Sequence, residues 1–100
     1  MENKFDSTKI AVSMQEPIYT LKRLNDGLTK TGSRVQYIEW NEDGTAKDSH
    51  DDIQIGRSLI LDPRFTYTWL TTTITEIISY SEEYIKFQTE NSLYELTKNI

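Results

Sequence analysis

The sequence predicts an all-β protein, a small SH3-like or OB-like antiparallel barrel of five to seven strands. Short runs rich in β-branched and aromatic residues alternate in polarity, and clusters of Gly, Asn, Asp and Ser separate them. One hundred residues, 36% of them hydrophobic, are enough for one modest core, so residues 1–100 are expected to form a single domain. Residues 1–7 are polar and are predicted to be frayed.

The first two segments differ in how clearly they specify a structure. Lys9–Gln15 alternates between polar and apolar residues, which predicts a short strand. Glu16–Leu24 fits two structures. Pro17 suits the first turn of a short N-terminal helix, whereas the alternation through Leu21 suits a strand, which the later elements favour. Asn25-Asp26-Gly27 ends either element as a turn.

The middle of the chain predicts two strands around a loop. Arg34–Trp40 alternates Val and Tyr against Ile and Trp, and the Asn-Glu-Asp-Gly sequence after it is a turn signal. Thr45–Asp52 is polar and acidic and is predicted to be a loop. Ile53–Leu61 is predicted to be one strand, with Ile53, Ile55, Leu59 and Leu61 on one face and with Gly56 marking a bulge or a close backbone approach. Asp62-Pro63 then opens a turn.

The last third begins with a threonine-rich segment. Phe65–Ile78 holds six threonines among aromatic and β-branched residues and is predicted to be one long strand. A turn at 79–83 precedes the strand YIKFQT, and Glu90-Asn91 connects it to SLYEL. Residues 65–96 therefore predict a three-stranded antiparallel meander.

Charge and composition limit the classes of function. The net charge of −5 disfavours nucleic acid as a partner but is ordinary for solubility, so it does not indicate a DNA mimic. No apolar run is long enough to cross a membrane, the polar start predicts no signal peptide, and the cytoplasm is the expected location. There is no cysteine, so disulfides, thiolate catalysis and cysteine metal sites are excluded.

The C-terminal third carries one resemblance. FQTENSLYELTK, preceded by WLTTTITEI, resembles the ending of small uncharacterised proteins from bacterial phages and mobile elements. The resemblance implies a source and a small β-domain, and it brings no functional residues. Two roles would fit such a source: a structural or accessory module, and an inhibitor of a host defence enzyme that presents the acidic region 39–52 to a basic channel.

The candidate catalytic and metal-binding patterns favour a protein that is not an enzyme and needs no cofactor or metal. Glu39, Asn41 and Asp43 fall at positions one, three and five of a calcium loop, but His50 stands at position twelve, where the bidentate carboxylate belongs. Ser49-His50-Asp51 has the residue types of a triad, yet neighbours in sequence rarely converge on one point. The strand residues Glu39, Glu76 and Glu95 could act as paired carboxylates, but alternation predicts that they lie on the outside of a sheet.

The sequence predicts binding to another macromolecule, either a protein or further copies of this chain. A strip that mixes aromatics with short hydroxyls is typical of a binding face, and if Trp69 lies in the core then Trp40 and Tyr67 become the surface candidates. The candidate partner-binding residues are Trp40, Tyr67, Trp69, Thr71, Thr73, Glu42, Asp43, Asp51 and Asp52.

Two alternatives stay open. The first is a barrel that binds single-stranded nucleic acid by stacking bases on aromatic residues beside basic ones. Its candidate residues are Tyr19, Lys22, Arg23, Lys30, Arg34 and Tyr37. The second is a domain with no specific ligand.

Overall fold

A computed structural model describes residues 18–62 and 68–99. They form nine strands: β1 (Ile18–Arg23), β2 (Thr29–Gly32), β3 (Val35–Trp40), β4 (Ala46–His50), β5 (Ser58–Leu61), β6 (Trp69–Leu70), β7 (Ile74–Tyr80), β8 (Tyr84–Thr89) and β9 (Leu93–Asn99). The all-β prediction is confirmed. The strand predicted at Lys9–Gln15, the frayed start and the candidate Tyr67 lie outside the described residues.

The strands form two antiparallel sheets. The five-stranded sheet has the order β2-β1-β9-β8-β7, and the four-stranded sheet has the order β4-β3-β5-β6. The predicted number of five to seven strands is too low, and residues 18–62 and 68–99 form no closed barrel. The same residues contain no helix that is long and apolar enough to cross a membrane.

Both sheets contribute to one core. Its buried members are Leu21, Tyr37, Ile53, Leu59, Leu61, Ile74, Phe87, Tyr94 and Leu96. Phe87 and Tyr94 stack across β8 and β9 with ring centroids 5.4 Å apart. The Trp69 ring meets Tyr94 edge to face at 5.8 Å and joins β6 to the larger sheet. Of these two aromatic contacts, the one between Trp69 and Tyr94 joins the two sheets through the core.

The first ambiguous segment is a strand. Ile18–Arg23 pairs with β2 on one side and with β9 on the other, so the helix alternative is wrong over these residues. The turn after it places Gly27 at a φ of 75°, which glycine adopts at little cost. Two hydrogen bonds, of 3.0 and 2.8 Å, join the Arg23 guanidinium to the Asp26 carboxylate and brace the turn.

Two predictions for the middle of the chain are wrong. Residues 45–52 are not a loop, because Ala46–His50 forms β4 and pairs with β3. Ile53–Leu61 is not one strand, because only Ser58–Leu61 is a strand and Ile55 is 63% exposed in a turn. Gly56 has a φ of 96° in that turn, so it reverses the chain rather than bulging a strand.

The threonine-rich segment is also not one strand. It is divided into β6, which belongs to the four-stranded sheet, and β7, which belongs to the five-stranded sheet. Thr71 lies directly after β6: its N–H donates to Leu59 O at 2.9 Å, and its hydroxyl accepts from Leu59 N at 3.0 Å. In a continuing strand a backbone carbonyl of that strand would accept the hydrogen bond from Leu59 N–H. Here the Thr71 hydroxyl accepts it instead, so the backbone can leave the sheet while the Leu59 N–H keeps a partner. The meander is confirmed only for β7, β8 and β9.

A close contact connects the β2–β3 loop to the end of β5. Asp62 has a φ of 56°, and its Oδ1 accepts a hydrogen bond of 2.9 Å from the Ser33 N–H. A Cβ on Gly32 would lie 2.7 Å from Asp62 Oδ2 and 2.8 Å from Leu61 Cγ. Gly32 therefore permits the loop to approach the four-stranded sheet.

Candidate functional site

The outer face of the four-stranded sheet carries four apolar side chains, Ile38, Trp40, Ile60 and Leu70, and is termed the apolar face. Ile60 pairs directly with Leu70, and residues that are directly opposite in antiparallel strands share a face. All four are half-buried, and none belongs to the core cluster or to the hydrophobic residues packed against it. The polar side chains among them, Gln36, Ser49 and Ser58, carry no charge.

Trp40 ends the apolar face and borders a hollow. Its indole N–H donates to Ser58 Oγ at 2.9 Å, which fixes the ring against the sheet. The hollow has a volume of about 400 Å³ and is lined by Trp40, Thr71 and Thr73 together with Ser58, Glu90 and neighbouring backbone. Three of the predicted partner-binding residues therefore meet at one place, although Thr71 is buried there and bonded to Leu59.

The outer face of the five-stranded sheet is polar by comparison. One row across it runs Tyr84, Thr97, Thr20 and Thr31, and the next includes Lys86, Glu95 and Lys22. The Tyr84 hydroxyl donates to Glu95 Oε2 at 2.6 Å, and this bond raises the pKa of the tyrosine. The two sheets thus present outer faces of opposite character.

Trp69 is a core residue more than a surface anchor. Its ring packs on Tyr94, and the Arg23 guanidinium carbon lies 5.3 Å from its centroid. Hydrogen bonding to Asp26 raises the pKa of Arg23 and lowers that of Asp26 to about 2. Trp69 therefore packs on the core through Tyr94, and its other contact is with Arg23, which forms an ion pair with Asp26.

The predicted acidic residues do not form one patch. Glu42 and Asp43 lie in the turn before β4, and Asp51 and Asp52 follow its other end. Five strand residues, roughly 17 Å of chain, separate the two groups. The Asp43 carboxylate accepts from Thr45 N and Oγ1, which lowers its pKa, and Asp52 pairs with Arg57 at 3.0 Å. Each group thus braces its own turn.

The predicted nucleic-acid residues do not share a surface. Tyr37 is 3% exposed and belongs to the core, so it is not available to stack a base. Lys30 pairs with Leu21 on the core side of the five-stranded sheet, whereas Lys22 projects from the opposite face. Arg34 lies in the loop before β3. The geometry that base stacking beside basic residues requires is therefore absent from this set.

The candidate catalytic residues have other partners. His50 Nε2 lies 2.8 Å from Glu39 Oε1, and this contact lowers the pKa of Glu39. Ser49 Oγ donates to the Gln36 amide oxygen at 2.7 Å, so Ser49 and His50 do not form a nucleophile and base pair. Glu39 belongs to one sheet and Glu95 to the other. Over residues 18–62 and 68–99, no three His, Cys, Asp or Glu side chains are grouped so as to hold a metal ion.

A second concave site, termed the tyrosine cleft, lies at the other end of the molecule's core. Its side walls include Tyr19 from β1, Tyr37 from β3 and Tyr80 from the end of β7, and its volume is about 130 Å³. Asp51, Glu82, Glu83 and Lys98 also line it. Burial raises the pKa of Tyr37, so its hydroxyl is neutral at physiological pH.

Comparison with family models, with curated proteins and with solved structures finds no match to this chain. The case for function therefore depends on the sites themselves.

Sequence reasoning misses part of both sites. Ile38 is visible as an apolar residue on the second face of a strand whose first face already holds Val35 and Tyr37. A strand that is apolar on both faces indicates burial on both sides or an interface. Tyr80, Glu82 and Glu83 carry no comparable signal, because only the fold brings this turn to Tyr37.

Proposed function

We propose that this protein is a non-enzymatic binding module that associates with a second copy of itself through the apolar face. The observation that carries the proposal is the group of four half-buried apolar side chains on one sheet face, outside the core cluster. Apolar side chains gathered on one sheet face favour burial against another surface. A structural or accessory role fits such self-association.

The uncharged side chains of the apolar face are compatible with a second copy as the occupant. The chain is acidic, with a net charge of −5, so two copies repel each other over long range. The polar side chains of the apolar face are Gln36, Ser49 and Ser58, which are neutral. The Asp51 carboxylate lies at its margin, where it accepts from Gln36 Nε2 at 3.2 Å, so two copies that meet on the apolar side chains bring few like charges together. A two-fold dimer places the same patch on both subunits, and an uncharged patch is compatible with that symmetry.

The first test is the solution mass of the purified chain by light scattering over a wide range of concentration. We expect a mass that rises toward that of a dimer. Ile60→Lys should abolish the rise, because a two-fold interface would bury two ammonium groups close together. Thr97→Lys adds the same charge to the outer face of the other sheet and should leave the dimer intact.

Circular dichroism establishes that each variant is folded before its mass is interpreted. A monomer at every concentration would contradict the proposal and would leave the apolar face to a different protein or to residues 1–17. A dimer that Ile60→Lys leaves intact and Thr97→Lys disrupts would move the interface to the five-stranded sheet.

A further inference from the structure

The tyrosine cleft brings together aromatic rings from three separate strands. Tyr19, Tyr37 and Tyr80 lie far apart in the sequence, and the two sheets place them around one cavity. The cavity volume of about 130 Å³ equals the space of roughly four water molecules. Tyr80 is 67% exposed and Tyr37 is 3% exposed, so the cleft runs from solvent into the core.

The charged side chains at the cleft are mostly negative. Asp51 follows β4, and Glu82 and Glu83 lie in the β7–β8 turn, so three acidic residues line the cleft against one basic residue, Lys98. The Asp51 carboxylate also accepts a hydrogen bond from Gln36 Nε2 at 3.2 Å and keeps its negative charge. Within the described part of the chain, none of the three acidic residues forms an ion pair with Lys98. The cleft therefore has an excess of negative charge that its own residues do not neutralise.

The Tyr37 hydroxyl is the second sign of a ligand. Tyr37 lines the cavity with a side chain that is almost completely buried, and Tyr19 and Tyr80 are among the groups that act on its hydroxyl. No hydrogen-bond partner for this hydroxyl lies among residues 18–62 and 68–99. A buried hydroxyl without a partner is costly, so such groups usually meet water or a ligand.

We propose that the tyrosine cleft binds an organic cation of the ammonium type, held by aromatic ring faces and by the carboxylates of Asp51, Glu82 and Glu83. Tyrosine rings attract ammonium groups through their negative π faces, and aromatic cages are a common way to bind alkylated ammonium. The carboxylates add long-range attraction, and the deep hydroxyl accepts from an N–H or orients water beside the cation.

Other ligand classes fit less well. An anion would meet three carboxylates at the cleft and a single ammonium. A divalent metal needs several oxygen ligands within bonding distance of one ion, and no three acidic or histidine side chains of the described residues, those at the cleft included, are arranged to hold one. A neutral apolar ligand would leave the carboxylates without a role.

The first experiment compares choline with 3,3-dimethylbutanol, which has the same shape without the charge. Each is titrated into the 100-residue chain while the tyrosine ring and backbone resonances are followed by NMR. We expect choline to shift signals from the cleft with saturation, and the neutral compound to shift them weakly or not at all. Equal binding of both compounds, or no saturation by choline in the millimolar range, would overturn the proposal.

Variants at the exposed rim test the rings separately from the fold. Tyr80→Ala should weaken choline binding roughly 2- to 30-fold, the range expected for loss of one cation–π contact. Tyr80→Phe keeps the ring and should bind nearly as the wild type does. If Tyr80→Ala binds as well as Tyr80→Phe, the ring is not part of the site.

A second set of variants tests the charges. Glu82→Gln and Glu83→Gln should weaken binding and reduce its dependence on salt, whereas Lys98→Met should strengthen it by removing the competing ammonium. Glu42→Gln changes the net charge equally, but it lies in the turn before β4 and serves as the matched control. An equal effect of Glu42→Gln would show that only the overall charge matters.

The cation can be a free small molecule or the side chain of a protein, and the ligands separate these sources. Choline and tetramethylammonium represent the free cation. A short peptide that contains one lysine, made once with trimethyllysine and once with unmodified lysine, represents the side chain. Tighter binding of the peptide than of tetramethylammonium indicates a protein source. This site does not depend on the apolar face, so Ile60→Lys should leave choline binding unchanged whether or not it disrupts the dimer.

Discussion

Thr71 offers the sharpest test of how this fold is held together, because one hydroxyl replaces a ladder carbonyl where the chain leaves the four-stranded sheet. Its Oγ1 accepts from Leu59 N at 3.0 Å and donates to Thr72 O at 2.8 Å. Thr71→Val keeps the shape of the side chain and removes both hydrogen bonds. The Leu59 N–H is then left without an acceptor beside the core, where Leu59 itself is fully buried.

The expected cost follows from that unpaired donor. Leaving a buried polar group unsatisfied costs about 1–3 kcal/mol, and the methyl group that replaces the hydroxyl returns up to about 0.8 kcal/mol of burial. The difference spans about 0.2–2 kcal/mol, and because Leu59 is fully buried we expect its upper half, a loss of about 1–2 kcal/mol in the free energy of unfolding. This loss corresponds to roughly 4–16 °C in Tm for a domain of this length.

The assay is urea unfolding followed by tryptophan fluorescence, with the midpoint and the m value fitted separately. Thr72→Val is the matched control, because it makes the same substitution one residue along on an exposed side chain. It should change stability by less than about 0.5 kcal/mol. If Thr71→Val and Thr72→Val are equally stable, the Thr71 hydroxyl does not hold the crossover between the sheets, and its assigned role at the end of β6 is wrong.

Two further predictions concern the loop contact and the braced turn. Gly32→Ala should lower the free energy of unfolding by about 1–3 kcal/mol in the same urea assay, because the new Cβ overlaps Asp62. Thr31→Ala, on the same strand, is the control. Equal stability of the two variants would show that the close contact of Gly32 with Asp62 does not limit the residue at position 32. The pKa of Asp26 is lowered from 3.8 to about 2 in the folded protein, so its carboxylate stabilises the fold relative to the unfolded chain. This contribution is complete above pH 3.8 and is lost as the pH falls through about 2. Asp26→Asn should therefore flatten the dependence of stability on pH in this window, and an NMR titration that places the Asp26 carboxyl at its ordinary value would contradict the prediction.

The sequence predicts the strands that have one apolar face and one polar face. β8 and β9 alternate clearly, because each packs one side on the core. β4 escapes prediction because its residues, Ala46–His50, are almost all exposed and show no apolar period. An edge strand that packs on nothing leaves no pattern in the sequence, and only its pairing with β3 defines it.

The sites are harder to predict than the strands. Trp40 is identifiable as a surface candidate because it is an aromatic residue that the core does not use. The expectation that Tyr37 stacks a base is wrong, and alternation with Val35 already places it on the core face. The threonine-rich segment is misleading because β propensity does not reveal where a chain changes sheets. Thr71 is distinguished from its neighbours only by its bond to Leu59, which is a tertiary contact.

The pairing of β1 with β9 has a kinetic consequence. β9 lies between β1 and β8 in the centre of the larger sheet, and the Asn99 side chain donates to Thr20 Oγ1 from 79 residues away in the chain. Hairpins such as β8–β9 pair strands that a short loop connects, whereas the pairing of β1 with β9 brings together residues such as Thr20 and Asn99, which are 79 positions apart in the chain. We therefore expect β1 to dock last during folding. Until it does, β9 presents an open edge and Leu96 is uncovered, so refolding yield should fall steeply as protein concentration rises.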